Sequence, residues 1–307
     1  MMPDPTSAST STSARVDAHQ HFWRVADQDQ PWRTSHHGAI ARDFTPDDLV
    51  PQAEEVGVTR SVLVQSVDEP GENDRLAAFA EHPLVAGVVA WAPLTEPRRA
   101  RAELDRIALA RLSGVRCLVG RDPLVWLQSP DVLDLMSTLA ERGIAWDVVP
   151  VTAEQTAAVT RLARAVPGLR IVVDHLGRPP VEVGGWEPWA SNLQELATCP
   201  GVAVKLSVGL DVLTAWGEWS PTELKPYVGW VCETFGPDRV MLASNWPVVT
   251  LRAPYAQAWT DLETSVRGIF SGADLDRALS GTATEWYGLD PAQHSFPHVR
   301  PTTKEQT

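Results

Sequence analysis

The chain has 307 residues, 44% of them hydrophobic, with 26 Lys and Arg against 39 Asp and Glu for a formal net charge of −13. That apolar fraction is ample for a large buried core, whereas the acidic balance argues against nucleic acid or an anionic membrane surface as partner, since both need a basic face. Cys117, Cys199 and Cys232 are odd in number and lack CxxC spacing, so they read as reduced, buried thiols rather than a disulfide frame or a zinc knuckle.

Residues 1–14 are rich in Ser, Thr and Pro and lack both Lys/Arg and an apolar run. They read as a disordered leader without the features of a secretory signal. No stretch approaches the roughly 18 apolar residues that would span a bilayer. With the reduced thiols, this sets a cytoplasmic location as the expectation.

From Arg15 onward, eight short apolar runs recur: Arg15 to His21, Arg60 to Gln65, Val85 to Trp91, Gly114 to Val119, Ile144 to Val149, Leu169 to His175, Val202 to Ser207 and Val240 to Asn245. Their lack of polar alternation suits parallel strands buried on both faces. Between them lie helical signals. Thr45-Pro46-Asp47-Asp48 is a capped start with Pro at the first helical position. Leu76 to Glu81, Ala100 to Leu112, Pro130 to Arg142 and Ala153 to Val166 carry helical periodicity, and Gly143 stands where a left-handed C-terminal residue belongs. Eight strand–helix alternations predict an α/β protein built as a closed (β/α)8 TIM barrel over residues 15–290. No GxGxxG follows a strand, which weighs against a dinucleotide-binding sheet. Residues 291–307, with several Pro and polar residues, read as a flexible tail.

Barrel chemistry gathers at the C-terminal ends of strands, and four ends here stop at polar residues. The first reads Ala18-His19-Gln20-His21; residues two apart in a strand share a face, so His19 and His21 point together into the mouth, able to bind a divalent metal or a substrate oxygen. The others are Asp174-His175-Leu176-Gly177, Lys205-Leu206-Ser207 and Ser244-Asn245-Trp246-Pro247-Val248. Asp17 shares the alternation of His19 and is expected to orient it; Asp174 alternates away from His175, which suggests a structural salt bridge. Trp23, Trp32, Trp91, Trp126 and Trp246 follow strands, where they could line a cleft or pack loops. Trp186, Trp189, Trp216 and Trp219 fall in longer loops as a lid over the mouth. His36 and His37 sit in a polar loop and read as solvated.

Val16-Asp17-Ala18-His19-Gln20-His21-Phe22-Trp23, with Pro31-Trp32 behind it, resembles the opening of amidohydrolase-related sugar lactonases, the L-fuconolactonase and L-rhamnonolactonase type related to 2-pyrone-4,6-dicarboxylate lactonase. Arg42-Asp43-Phe44, Val64-Gln65, Gly87-Val88-Val89, Gly114-Val115-Arg116, Asp174-His175-Leu176-Gly177, Lys205-Leu206-Ser207 and Ser244-Asn245-Trp246-Pro247-Val248 continue the match in order over about residues 15 to 290. The resemblance implies a carboxylic-ester hydrolase that opens a small lactone, such as a sugar aldonolactone, by attack of water on the ring carbonyl. It implies His19, His21 and His175 as metal or substrate ligands, position 245 as the seat of the base, and Arg116 and Lys205 as binders of carboxylate or carbonyl oxygen; Asp147 joins the candidate catalytic set, and Gln65, Trp23 and Trp246 the candidate substrate contacts. Family members differ over metal, so two states stay open: one zinc or manganese held by His19, His21 and His175, or none. Strand five offers Asp147 and no histidine, which sets one metal as the upper limit.

Position 245 departs from the pattern, because the family's aspartate is replaced by Asn245. An amide cannot take a proton near neutral pH. The base is then another carboxylate (Asp147, Asp174 or Glu69), or a metal-acidified water, or the chain has left hydrolysis for small-acid binding or decarboxylation. A second departure is Cys117, which follows Arg116 where relatives often carry histidine, and which reads as a buried thiol. The partner expected is a small lactone or carboxylic acid; the oligomeric state is not indicated.

Overall fold

A computed structural model describes residues 15–107 and 109–290. The expected leader and tail, residues 1–14 and 291–307, lie outside the described residues. Eight parallel strands form one sheet in chain order: β1 (Arg15–Gln20), β2 (Val58–Val64), β3 (Val85–Trp91), β4 (Leu112–Arg116), β5 (Ala145–Val148), β6 (Ile171–Val173), β7 (Val202–Leu206) and β8 (Val240–Leu242). A parallel bridge from Gln20 to Trp246, with His21 N–H donating to Trp246 O at 2.7 Å, brings the last strand back to the first. The fold is the expected TIM barrel.

Helices α1 (Pro46–Glu55), α2 (Glu72–Ala80), α3 (Pro97–Arg106), α4 (Pro130–Glu141), α5 (Ala153–Ala165), α6 (Trp189–Ala197), α7 (Leu210–Ala215), α8 (Pro221–Phe235), α9 (Tyr255–Arg267), α10 (Gly272–Asp276) and α11 (Thr282–Trp286) follow or flank the strands. The start of α1 is set by Thr45, whose N–H and Oγ1 both reach Asp48 Oδ2 at 2.8 Å, so the exposed turn satisfies its own donors. Gly143 ends α4 at φ +66°, a conformation L side chains resist. Helix α3 stops at Arg106 rather than continuing to Leu112, because Leu112 begins β4.

Two apolar clusters result from the alternation. The outward strand residues, among them Leu63, Val88, Val115, Ile171 and Leu242, pack against Leu76, Leu104, Leu135, Val159 and Val231 of the helices. Each side chain of this size buried contributes about 1.5–3 kcal/mol. The inward residues Val16, Ala18, Val62, Val172, Ala203, Met241 and Ala243 are small or β-branched and pack with Trp286, Tyr287 and Leu289, which follow from α11. Among the described residues no helix is long and apolar enough to cross a membrane.

The tryptophans expected as a lid do other work. Trp189 begins α6, is buried, donates to Leu176 O at 2.7 Å and packs on Tyr227. Trp216 and Trp219 donate to Glu223 and Asp261 on α8 and α9, each at 2.8 Å. Trp186 lines a separate hollow with Trp230 and Ile269. A tryptophan-rich stretch without clear periodicity looks like a loop in sequence, yet these rings are anchored in helix packing. His37 is likewise buried, its Nε2 bonded to Thr214 Oγ1 at 2.9 Å.

Candidate active site

A cavity of about 400 Å³ opens where the strands end, lined among others by His21 after β1, Arg116 at the end of β4, His175 after β6 and Asn245 after β8. Its size falls within the range of small-molecule sites. His175 and Asn245 hold φ of 55° and 58°. Non-glycine residues adopt this left-handed conformation rarely and at a cost, and such strain concentrates at functional sites.

Beneath the cavity lies a sealed ionic network. Lys205, fully buried, reaches Asp147 Oδ2 at 2.6 Å, Asp174 Oδ1 at 3.0 Å and His19 Nδ1 at 3.1 Å. The ammonium donates to both carboxylates, while His19 Nδ1 is shared between Lys205 and Asp174 Oδ1, the latter at 3.2 Å; with its hydrogen directed to Asp174, His19 keeps Nε2 as a lone pair. Arg116 donates from one terminal nitrogen to Asp174 Oδ2 at 2.8 Å and from the other to Gln65 O at 2.5 Å. Two cations thus face two carboxylates out of water, the condition under which buried charges are tolerated. Burial works against the Asp174 carboxylate, but Lys205 and His19 beside it outweigh this and hold it well below the usual carboxylate range. Burial wins at Asp147, pushing it up to about 6 despite Lys205.

The imidazoles converge. His19 Nε2 lies 3.2 Å from His21 Nε2, and the His19 and His175 rings are 4.5 Å apart. Burial, joined by neighbouring cations, lowers all three pKa values, to about 3 for His21 and about 4 for His175, so the rings are neutral near pH 7. His21 Nδ1 donates to Val64 O at 2.8 Å, which leaves its Nε2 as a lone pair. His175 Nδ1 is engaged by Ser207 Oγ at 2.9 Å, leaving Nε2 as its remaining nitrogen.

These donors suit a divalent ion. His19, Asp174 and His175 present ligand atoms all within 4.8 Å of one another. Two nitrogens bound to one zinc at about 2.0–2.1 Å in a tetrahedron would lie about 3.3 Å apart, close to the His19–His21 spacing of 3.2 Å. Asp174 was missed as a donor in the sequence because it alternates away from His175; a 3-10 turn after β6, with His175 in the left-handed region, brings both inward.

Several residues expected at the site lie elsewhere. Asp147 and Lys205 are below the floor rather than in the cavity. Gln65 is buried, its Nε2 bonded to Asp68 at 3.1 Å. Trp23 and Trp246 pack with Phe44 beneath the first loop, whereas Trp32 does line the cavity. Glu69 pairs with Arg75 away from it. Asp17 points outward between the inward Val16 and Ala18, and the register shift between Asp17 and Gln20 takes His19 off its face; Asp17 accepts from Ser244 Oγ at 2.6 Å and Tyr255 OH at 3.2 Å, and not from the His19 ring.

Two polar atoms of cavity-lining residues have no partner among the described residues: Arg116 Nε, a donor, and Asn245 Oδ1, an acceptor. Both residues are more than nine-tenths buried. The Asn245 amide is fixed by its Nδ2, which donates to Val208 O at 2.8 Å. Unsatisfied buried groups cost free energy unless something supplies the missing bond.

Comparison with known proteins finds the amidohydrolase family model matching residues 16–289. An L-fucono-1,5-lactonase of Burkholderia ambifaria is 34% identical over 291 residues, covering 90% of this chain and 96% of that protein. An amidohydrolase from Burkholderia multivorans, solved with bound zinc, superposes with a TM-score of 0.80 at 28% identity, covering 90% of this chain and all of the other. A second crystal form of that protein, with bound HEPES, gives 0.80 at 27% identity over the same shares.

Proposed function

We propose, from the premise that the chain belongs to the amidohydrolase family, that it is a carboxylic-ester hydrolase opening a small lactone by attack of water on the ring carbonyl. The observation that carries this is the pair of orphaned buried atoms on two residues that line the cavity. Arg116 Nε–H can donate to a carbonyl oxygen, and Asn245 Oδ1 can accept from a water beside it.

The water oxygen bonds to the carbonyl carbon, and the oxygen that becomes negative is held by Arg116. Donors fixed in advance at a developing oxyanion are worth about 10²–10³ in rate each. Asn245 orients the water but cannot take its proton. Neutral His175 can, at Nε2, and returns the proton to the ring oxygen as the ring C–O bond breaks. The product is a hydroxy acid whose ionisation releases one proton. Among the described residues that line the cavity the carboxylate is Asp211, and it is engaged by Arg178 at 2.6 Å.

His19, His21 and His175, with Asp174 beside them, would hold a zinc or manganese ion, and His175 Nε2 would then be a ligand rather than the base. When bound, such an ion lowers the pKa of adjacent water to about 7 and polarises the carbonyl. The decarboxylase alternative has no observation in its favour.

Proton release from a panel of lactones, L-fucono-1,5-lactone included, tests the reading, with metal content measured on the same preparation. Catalysed acid release from at least one lactone is expected; a protein inert to all of them is not a lactonase.

A further inference from the structure

The polar groups of the cavity are few and mostly engaged. Ser66 Oγ is held between Gln28 and Glu72, at 3.1 and 3.2 Å. Arg178 is bound to Asp211 and Glu182, at 2.6 and 2.7 Å. Arg121 stands at the exposed rim. What the floor leaves over is Arg116 Nε, Asn245 Oδ1 and the Nε2 atoms of His21 and His175, the groups that the reaction itself calls on. Most of the remaining wall is aliphatic, formed by Leu118, Val119, Val149, Val151, Leu210 and Val248. Leu118 is 48% exposed, one of few large apolar side chains left to solvent among the described residues.

Such a wall discriminates. A hydroxyl pressed against it without a partner weakens binding roughly 5- to 100-fold, whereas each methylene buried there strengthens it about fourfold. A sugar lactone carries several hydroxyls and would leave those that meet this wall unpaired. Space points the same way. An apolar cavity of about 150 Å³ accepts one benzene-sized ring, so roughly 250 Å³ of the 400 Å³ remain for a substituent.

We infer that the site takes a lactone bearing an apolar alkyl or aryl substituent in preference to a polyhydroxylated sugar lactone. The inference rests on the lactonase reading and narrows its substrate class. Water adds to the carbonyl and the ring C–O bond breaks as before; the substituent lies against the aliphatic wall and covers Leu118.

Three δ-lactones test it: unsubstituted δ-valerolactone, butyl-substituted δ-nonalactone and L-fucono-1,5-lactone. The kcat/KM for δ-nonalactone is expected to exceed both others by at least tenfold, and Leu118→Ala to narrow its ratio to δ-valerolactone. A preference for L-fucono-1,5-lactone, or equal values for all three, overturns the inference while leaving the lactonase standing. If none is hydrolysed the lactonase reading falls, and calorimetric titration with the same three compounds still decides: tighter binding of δ-nonalactone supports an apolar site, and equal or weaker binding refutes it.

Discussion

Asn245, which lines the cavity, is held at φ 58° with its Nδ2 on Val208 O, and its buried Oδ1 is left without a partner. Replacing it with aspartate changes two things at once. The new carboxylate can accept a proton from the water, and general-base catalysis is worth about 10²–10⁴ in rate. The bond to Val208 O is exchanged for a clash of two acceptors, at a cost of about 1–3 kcal/mol. Asn245→Asp is therefore expected to raise kcat/KM about tenfold or more while lowering urea-unfolding stability; a fall in turnover would mean the amide hydrogens have their own task. Cys117 is half-buried and lines the same cavity rather than being the fully buried thiol expected, but desolvation pushes its thiol up to about 12, so almost none is thiolate at pH 8. Lactonase activity should survive iodoacetamide at pH 8, measured as residual rate; rapid inactivation with Cys117 alkylated would contradict this. At this scale the sequence pointed to residues that the fold does gather around the cavity: His19, His21, His175 and Asn245 from their strand ends, and Arg116 from the family resemblance. It did not reveal depth. Lys205 and Asp147 point inward as alternation requires, yet both are fully buried and neither lines the cavity, and no local pattern encodes that depth.

At the scale of elements, strands were legible because both their faces are buried, and helices α1, α4 and α5 because their caps and periodicity agree. The β1 irregularity was not, since a register shift is set by the pairing with β2 and not by β1 alone. A comparable tertiary device fixes the loop after β2. Glu72, in the first turn of α2 and 2% exposed, accepts from Ser66 N–H at 2.6 Å and from Gln28 Nε2 at 2.5 Å. Its carboxylate thereby ties the loop carrying Ser66 to the helix. Glu72→Gln turns one acceptor into a donor facing other donors, and should cost about 2–3 kcal/mol, lowering Tm by several degrees. Glu81→Gln, on the exposed end of the same helix, should stay within about 0.5 kcal/mol. Equal Tm values for the two variants would remove Glu72 from this role.

Across the whole molecule, the end of the barrel away from the cavity is stoppered by the chain's own segment after α11. Leu289 fits where Gly87 has no side chain; a Cβ there would meet Leu289 Cδ2 at 2.6 Å. Trp286 Nε1 donates to Asp238 O at 3.0 Å, and Tyr287 OH donates to Asp147 at 2.8 Å. Since Asp147 holds Lys205, and Lys205 holds Asp174 and His19, a line of hydrogen bonds runs up the barrel axis from the stopper to the site floor. Tyr287→Phe cuts this line with almost no change of volume, so its effect is electrostatic. Asp147 titrates near 6 in the fold against about 3.9 unfolded. A folded pKa above the unfolded one means the fold binds the proton more tightly, so this group favours folding most at low pH and its contribution is lost as pH rises through about 6. The tyrosine hydroxyl offsets part of that loss by donating to the ionised carboxylate. Its removal should cost about 1–3 kcal/mol at pH 8 and clearly less at pH 5, where Asp147 is mostly protonated. Urea unfolding of both proteins at the two pH values measures the difference; an identical loss at each would show that the Tyr287 hydroxyl does not support the charge on Asp147.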